Sequence, residues 1–275
     1  MRKVFLFEDY YDIDQFPSEG NEFSIPLGIS EDNRLEEYHI SGENRGPILV
    51  SGRCGSGKSN YLHTILNATI LRNSSEQVNI WLYEYEKLEF RDLLIGNVPH
   101  ITSNWIGCEH NSNEAFVAAL EEEIKTRQQV FMDMGCTNYD HYLRESGDSR
   151  LPRLLVVIED FHALIHELFE ADYSYKYRLD NVLRMAHAFG ITLVFAVQDV
   201  YHCRYLTANI LSRHIAMKQS DDSIKEQFNS LDALELSQTL FIGDAIVDIP
   251  SVHKVNLLYI KPDVERKIIA KYRMK

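Results

Sequence analysis

The sequence predicts an α/β domain with a central, mostly parallel sheet flanked by helices. Three observations carry this. A short apolar run leads into a glycine-rich loop, and the loop opens a helical pattern. Further short apolar runs recur along the chain, rich in β-branched and aromatic residues, as strands buried on both faces require. Amphipathic helical patterns separate those runs, which is the alternation of a doubly wound sheet.

Residues 1–45 are mixed and read as an N-terminal lead-in packed on the core, with residues 46–275 as the domain proper. From there the strand candidates are Pro47–Ser51, Val78–Tyr83, Leu154–Ile158, Ile191–Val197 and His214–Met217. The clearest helix runs from Asn113 to Met134. Phe116, Leu120, Ile124, Phe131 and Met134 recur there near helical spacing, and Gly135 stops it. A second helix covers about Tyr175 to Ala188, before Gly190. Residues 137–152, with Gly147, Asp148, Ser149 and Pro152, read as a loop, and Val255–Ile260 as a final strand.

Gly52-Arg53-Cys54-Gly55-Ser56-Gly57-Lys58-Ser59 has the form G-x-x-x-x-G-K-S, followed by Asn60. This is the phosphate-binding loop of nucleoside triphosphatases. Glycines let the backbone turn tightly and aim N–H groups at phosphate oxygens, and the helix N-terminus adds partial positive charge. Lys58 is expected to reach the β- and γ-phosphates of ATP, and Ser59 to hold Mg²⁺. Such a loop needs acids for the metal and for the attacking water. Leu154–Ile158 ends in Glu159-Asp160, which are candidate catalytic and metal-binding groups in the manner of a Walker B motif. The alternative duty for this pair is to cap a helix beginning near Phe161. Gln198, at the end of the Leu193–Val197 strand, is placed to sense the γ-phosphate or orient water.

Composition bounds the remaining possibilities. The chain has 275 residues, 45% hydrophobic and 25% charged, enough for a substantial core. No apolar run is long enough to span a bilayer, and the N-terminus meets acid too early for a signal peptide. Cys54, Cys108, Cys136 and Cys203 form no C-x-x-C pair and read as reduced thiols of a cytoplasmic protein. The net charge of −13 argues against a broad nucleic-acid-coating surface but not against a narrow basic pore in a ring.

Ile25-Pro26-Leu27-Gly28, Gly52–Asn60, Glu84–Glu89, Val98-Pro99-His100, the helix with Glu123 and Arg127, Met134–Tyr139, Leu151-Pro152-Arg153, Gly190–Gln198, Asn209–Ala216 and Gly243-Asp244 follow one another in a telling order. Together, from about Ile25 to the C-terminus, they resemble the FtsK/SpoIIIE motor ATPases within the FtsK–HerA class. The resemblance implies a RecA-like P-loop NTPase that binds and hydrolyses ATP with Mg²⁺. It implies a homo-oligomeric ring, usually a hexamer, with nucleotide between subunits and an arginine supplied by a neighbour. Arg213 matches the family's arginine near the last core strand, with Arg184 as the alternative. The implied cargo is duplex DNA. The alternatives are a type VII-like protein-secretion motor, or a nucleotide-binding structural subunit with weak hydrolysis. Any attachment to a membrane is expected to come through a partner.

Four positions depart from the family pattern. The acids are inverted, Glu159 before Asp160. His187 stands for an arginine, Asp199-Val200 for Arg-Pro, and Ala163 for an acid. These departures predict a low hydrolysis rate and make ATP binding the firmer expectation.

Overall fold

The protein is described from a computed structural model, which defines residues 3–14, 23–41, 46–86, 89–109, 111–147, 151–203 and 213–273. In chain order, the first half holds β1 (Phe5–Leu6), β2 (Ser24–Ile29), β3 (Leu35–His39), β4 (Ile48–Ser51), α1 (Lys58–Arg72), β5 (Val78–Glu84), α2 (Arg91–Ile95), β6 (Ile101–Ile106), α3 (Ser112–Asp133) and α4 (Tyr139–Glu145). The second half holds β7 (Arg153–Ile158), α5 (Phe161–Ala171), α6 (Tyr175–Met185), β8 (Ile191–Val197), β9 (Arg213–Met217), α7 (Asp221–Phe228), α8 (Leu231–Ser237), β10 (Asp244–Val247), β11 (His253–Asn256), β12 (Leu258–Tyr259) and α9 (Pro262–Tyr272).

Ten of these strands make one sheet, in the spatial order β3-β2-β11-β10-β9-β4-β8-β7-β5-β6. From β9 to β6 every pairing is parallel. From β9 to β3 every pairing is antiparallel. β1 and β12 pair parallel in a separate two-stranded sheet.

The parallel half follows from the continuous apolar runs. Side chains alternate across a strand, so a strand covered on both faces must be apolar at every position. Ile48 and Val50 of β4 enter a core on one face, and Leu49 enters a core on the other. Leu155 and Val157 of β7, with Val194 and Ala196 of β8, share the first core. Leu154, Val156, Leu193 and Phe195 share the second, which α3, α5 and α6 cover. Each such Val, Leu, Ile or Phe side chain contributes roughly 1.5–3 kcal/mol by leaving water. Phe161, the first residue of α5, stacks on Phe195 at 4.4 Å and fixes where the acidic turn before it lies. Arg127 of α3 is buried and clamps three segments: its guanidinium donates to Phe189 O (3.1 Å), Pro152 O (2.8 Å) and the Glu123 carboxylate (2.7 Å).

Several expectations need correction. The 137–152 stretch is not all loop, because Tyr139–Glu145 is helical. The Asn138 side chain accepts from His141 N to start that helix, and Tyr142 stacks on Phe131 at 4.9 Å. The helix at 175–188 ends at Met185 and continues as a 3₁₀ turn, Ala186–Phe189. The strand at Val255–Ile260 is instead two strands, β11 and β12, and a helix, α9, follows them. β2 and β3, within the lead-in segment, join the main sheet, and Tyr61 of α1 donates to Pro26 O at 2.6 Å.

α9 is held to α1 by a small ionic cluster. His63 Nδ1 lies 2.7 Å from Glu265 Oε1 and His63 Nε2 lies 3.8 Å from Glu89 Oε1, while Asn67 donates to the same Glu265 oxygen at 2.8 Å. Burial alone would depress the imidazole pKa. The hydrogen bond and charge of Glu265, aided by Glu89, outweigh it and hold His63 above its ordinary value of 6.5. A raised folded value means the stabilisation is complete below pH 6.5 and fades as pH rises through the folded value. The melting-temperature gap between wild type and His63→Gln is therefore expected to be larger at pH 6 than at pH 9. Equal gaps at the two pH values would show that the imidazolium does not contribute.

Candidate nucleotide site

The loop Gly52–Gly57 joins β4 to α1, and neighbouring strand ends pin it from both sides. Gly52 N donates to Val197 O of β8 at 3.2 Å, and Arg53 N to Lys218 O just beyond β9 at 3.1 Å. A side chain at Gly52 would start 2.6 Å from Ser56 Oγ and 2.9 Å from Met217 Cβ, so no other residue fits there without displacing the loop. Gly57 takes φ 111°, a left-handed conformation that L side chains resist, and caps α1. α1 has no side-chain cap and no acid in its first turn. Its leading amides and the positive end of its dipole are thus presented to an anion.

Beneath the loop sits a polar triad. Buried Ser51 Oγ donates to Gln227 Oε1 at 2.8 Å, and Gln219 Nε2 donates to Ser51 Oγ and Gln227 Oε1, each at 2.9 Å. Gln219 and Gln227 are absent from the sequence expectation, and Ser51 enters it only as the end of a strand. They come together only because β4 pairs with β9, and no local pattern announces it.

Lys58 Nζ donates to Gly52 O at 2.6 Å and Arg53 O at 3.3 Å, so the ammonium lies over the loop it serves. Beside it opens a cleft of about 270 Å³ lined by Lys58, Ser59, Glu159, Asp160 and Gln198. Cys54, Gly55, Gly57 and Asn60 complete the lining from the loop and helix. One cleft therefore collects the lysine, the hydroxyl, both acids and the strand-end glutamine that the sequence singles out. Gly52, Arg53 and Ser56 shape the loop from outside that lining. Asn60 has a second contact: its Nδ2 donates to Ile260 O at 2.9 Å, tying α1 to the segment after β12.

Asp160 also serves as the cap of α5, its Oδ1 accepting from Ala163 N at 3.0 Å. One residue thus both caps the helix and lines the cleft. Asp199, where the family pattern has arginine, accepts from Tyr201 N at 3.0 Å and Ser223 Oγ at 2.9 Å. It braces the turn after β8 against α7. Glu84, the first residue of the Glu84–Glu89 segment, is buried, and its Oε2 accepts from Glu89 N at 2.6 Å. Burial pushes its carboxyl pKa up. Lys87 and Leu88 of that segment, and Asn209–Ser212 near β9, lie outside the described residues.

The structure does not bring Arg213 to this cleft. It opens β9, in register with Ile48, whereas the loop leaves after Ser51, in register with Ala216. At about 3.3 Å per residue that separation is roughly 10 Å along the sheet. Arg213 Nε donates instead to Tyr38 Oη at 3.2 Å. Arg184 is exposed on the last turn of α6.

The donor set fits a magnesium ion carried in with nucleotide. Ser59, Glu159 and Asp160 supply a hydroxyl and two carboxylates around the cleft. Among the described residues no group of three or more His, Cys, Asp or Glu could hold a metal unaided. Mg²⁺ typically takes one or two protein oxygens and completes its shell with phosphates and water. No helix among the described residues is long and apolar enough to cross a membrane.

Cys54 is exposed at the edge of the cleft. Alkylation with N-ethylmaleimide is expected to weaken ATP binding by about tenfold or more, and prior addition of ATP to slow the alkylation. Alkylated protein that binds ATP normally would refute this.

Comparison with known proteins adds independent findings. A sequence model of the FtsK/SpoIIIE family matches residues 12–234. The DNA translocase FtsK of Campylobacter jejuni is 25% identical over 222 residues, covering 77% of this chain and 22% of that protein. The ESX secretion system protein EccC of Geobacillus thermodenitrificans is 25% identical over 182 residues, covering 64% of this chain and 12% of the relative. Among solved structures, the cytoplasmic domain of the Thermomonospora curvata type VII secretion ATPase EccC superposes with a TM-score of 0.80 at 18% identity. That match covers all of this chain and 35% of the other. The match spans less than a quarter of the length of the Campylobacter jejuni and Geobacillus thermodenitrificans relatives.

Proposed function

The chain belongs to the FtsK/SpoIIIE family, and from that premise we propose that it is the ATP-binding, ATP-hydrolysing motor unit of a ring that translocates duplex DNA. The observation that carries the reading is the single cleft uniting Lys58, Ser59, Glu159, Asp160 and Gln198. Loop amides and Lys58 would hold the triphosphate. Ser59 and Asp160 would hold Mg²⁺, which supplies charge neutralisation on the β- and γ-oxygens when bound. Glu159 would take the proton of the attacking water, and Gln198 would orient that water against the γ-phosphate.

Arg213 lies at the opposite end of the sheet from its own loop. Its proposed role is therefore toward the cleft of a neighbouring subunit, where a guanidinium would stabilise charge building on the phosphoryl group. The ring, its hexameric state and cytoplasmic work with partner-mediated membrane recruitment belong to the same proposal. Asp160 divides its carboxylate between metal and helix cap, and the inverted acid order supports a slow motor.

A second reading is a protein-secretion motor, and the net charge of −13 favours it because DNA would meet a repulsive surface outside any pore. The ATPase rate measured alone, with duplex DNA and with candidate secretion peptides separates the two. Several-fold stimulation by DNA that disappears in Lys58→Ala supports the translocase. ATP binding with no response to DNA at low salt, where backbone contacts are strongest, would sink it.

A further inference from the structure

Helix α7 is bonded to two separate parts of the candidate site. Ser223 and Gln227 stand four residues apart and so share one face of the helix. Gln227 Oε1 accepts from Ser51 Oγ at 2.8 Å, at the root of the phosphate loop. Ser223 Oγ donates to Asp199 Oδ1 at 2.9 Å, in the residue that follows Gln198. Gln219 Nε2 draws Ser51 Oγ and Gln227 Oε1 together, at 2.9 Å from each. Ser51, Ser223 and Gln227 are all buried. Ile224 of the same helix packs with Ala216 of β9 and Ile246 of β10 in a small third core. α7 is therefore a seated body with two polar arms. Gln219 Oε1 and Gln227 Nε2 are buried with no hydrogen-bond partner among the described residues. Unpaired buried atoms cost stability that an apolar core would not. Such a network is a poor device for stability and a good one for position.

We propose that Ser223 and Gln227 are positioning residues for ATP hydrolysis: one turn of α7 fixes the spacing between the phosphate loop and the Gln198 turn. The inference rests on the roles of the loop and Gln198 given above, and adds what sets the distance between them. Attack in line requires the water that Gln198 orients to stay aligned with a γ-phosphate that the loop holds. Strand pairing fixes the two segments only as far as Ser51 and Val197, where β4 and β8 end. Gln198 is exposed in the cleft, so its place follows from the backbone on either side, Val197 in β8 and Asp199 in the turn. α7 gives Asp199 and Ser51 a common mount. Asp199 Oδ1 also accepts from Tyr201 N at 3.0 Å, so the mount reaches the backbone of that turn as well as a side chain. Asp199 is one of the four departures from the family pattern, and the mount built on it is a feature of this chain's own sequence.

Single-turnover hydrolysis and equilibrium ATP binding, measured on the full chain at saturating Mg²⁺, test this. Ser223→Ala and Gln227→Met should each slow hydrolysis by about tenfold or more. ATP affinity should stay within about twofold of wild type, because the backbone bonds of Gly52 and Arg53 that hold the loop do not involve α7. The double variant should be no slower than the slower single one, since either change frees the same mount. Losses that multiply, or an ATP affinity that falls as far as the rate, overturn the inference in favour of independent structural fastenings. Asp199 is half-buried, and its variants carry the test if a buried substitution fails to fold. Asp199→Ala should slow hydrolysis as Ser223→Ala does. Asp199→Asn keeps an oxygen for Ser223 Oγ and Tyr201 N, and should restore most of the rate. Equal rates in Asp199→Ala and wild type overturn the role of α7 while leaving the site reading intact. Wild type that binds ATP without hydrolysing it overturns the hydrolytic reading and this one together.

Discussion

Lys58→Ala is expected to weaken ATP binding and turnover by about 10²–10³-fold, the usual cost of removing one preorganised donor from a site of developing charge. The ammonium donates to the Gly52 carbonyl in a part-buried bond and to the Arg53 carbonyl in an exposed one. Water can replace it there, so the variant should melt within a few degrees of wild type. Arginine should not rescue it. A planar fork cannot sit where a compact three-donor ammonium bridges loop and phosphate. Titration with a fluorescent ATP analogue, alongside a melting curve, checks both halves. Wild-type affinity in Lys58→Ala would take the loop out of the site.

Glu159→Gln is expected to lower the hydrolysis step by about 10²–10⁴-fold while ATP still binds, since an amide cannot accept the proton of the attacking water. Asp160→Asn should do less. Asparagine caps a helix as well as aspartate does, so the bond to Ala163 N survives and only the charge facing the metal is lost. Asp160→Ala should add a stability loss of about 1 kcal/mol from the missing cap. Single-turnover hydrolysis with saturating Mg²⁺ ranks the variants. Unchanged rates in both Glu159→Gln and Asp160→Asn would displace the acidic pair from the chemistry. A larger loss in Asp160→Asn would exchange the two roles.

How much of this could be read from the chain depends on whether the signal is local. β4, β5, β7, β8 and β9 were legible because burial on both faces leaves an unbroken apolar run. β6 carries no such run because it forms the end of the parallel half. Ile101-Thr102-Ser103-Asn104-Trp105-Ile106 is only half-buried there, and its polar positions face water. α4 was hidden by composition, since Tyr139 and Tyr142 carry its packing within a polar stretch. The start of α9 is signalled by Lys261-Pro262-Asp263, with proline in the first turn, a cue that the strand-like residues before it obscured.

The site divides the same way. Lys58, Ser59 and the strand-end acids follow from a motif and a run of adjacent residues. The support under the loop does not, because Ser51 meets Gln219 and Gln227 across 168 and 176 positions of sequence. The second duty of Asp160 was legible as a possibility, and only the geometry shows capping and cleft-lining in one residue.

The antiparallel half of the sheet has a consequence for how the chain is made. β2 is drawn from the first thirty residues, and its neighbour β11 is made some 225 residues later. The hairpin of β2 and β3 must wait until β11 is made for that partner, with one edge unpaired. The side of β9 that β10 covers waits only until Asp244–Val247 follows Arg213–Met217. Such edges invite pairing with other chains, so nascent protein should depend on chaperones until the last strands emerge. A truncated chain ending at residue 234 would keep the motif-bearing strands and helices yet leave β9 uncovered for good. It should collect in aggregates rather than in solution, however intact its phosphate loop.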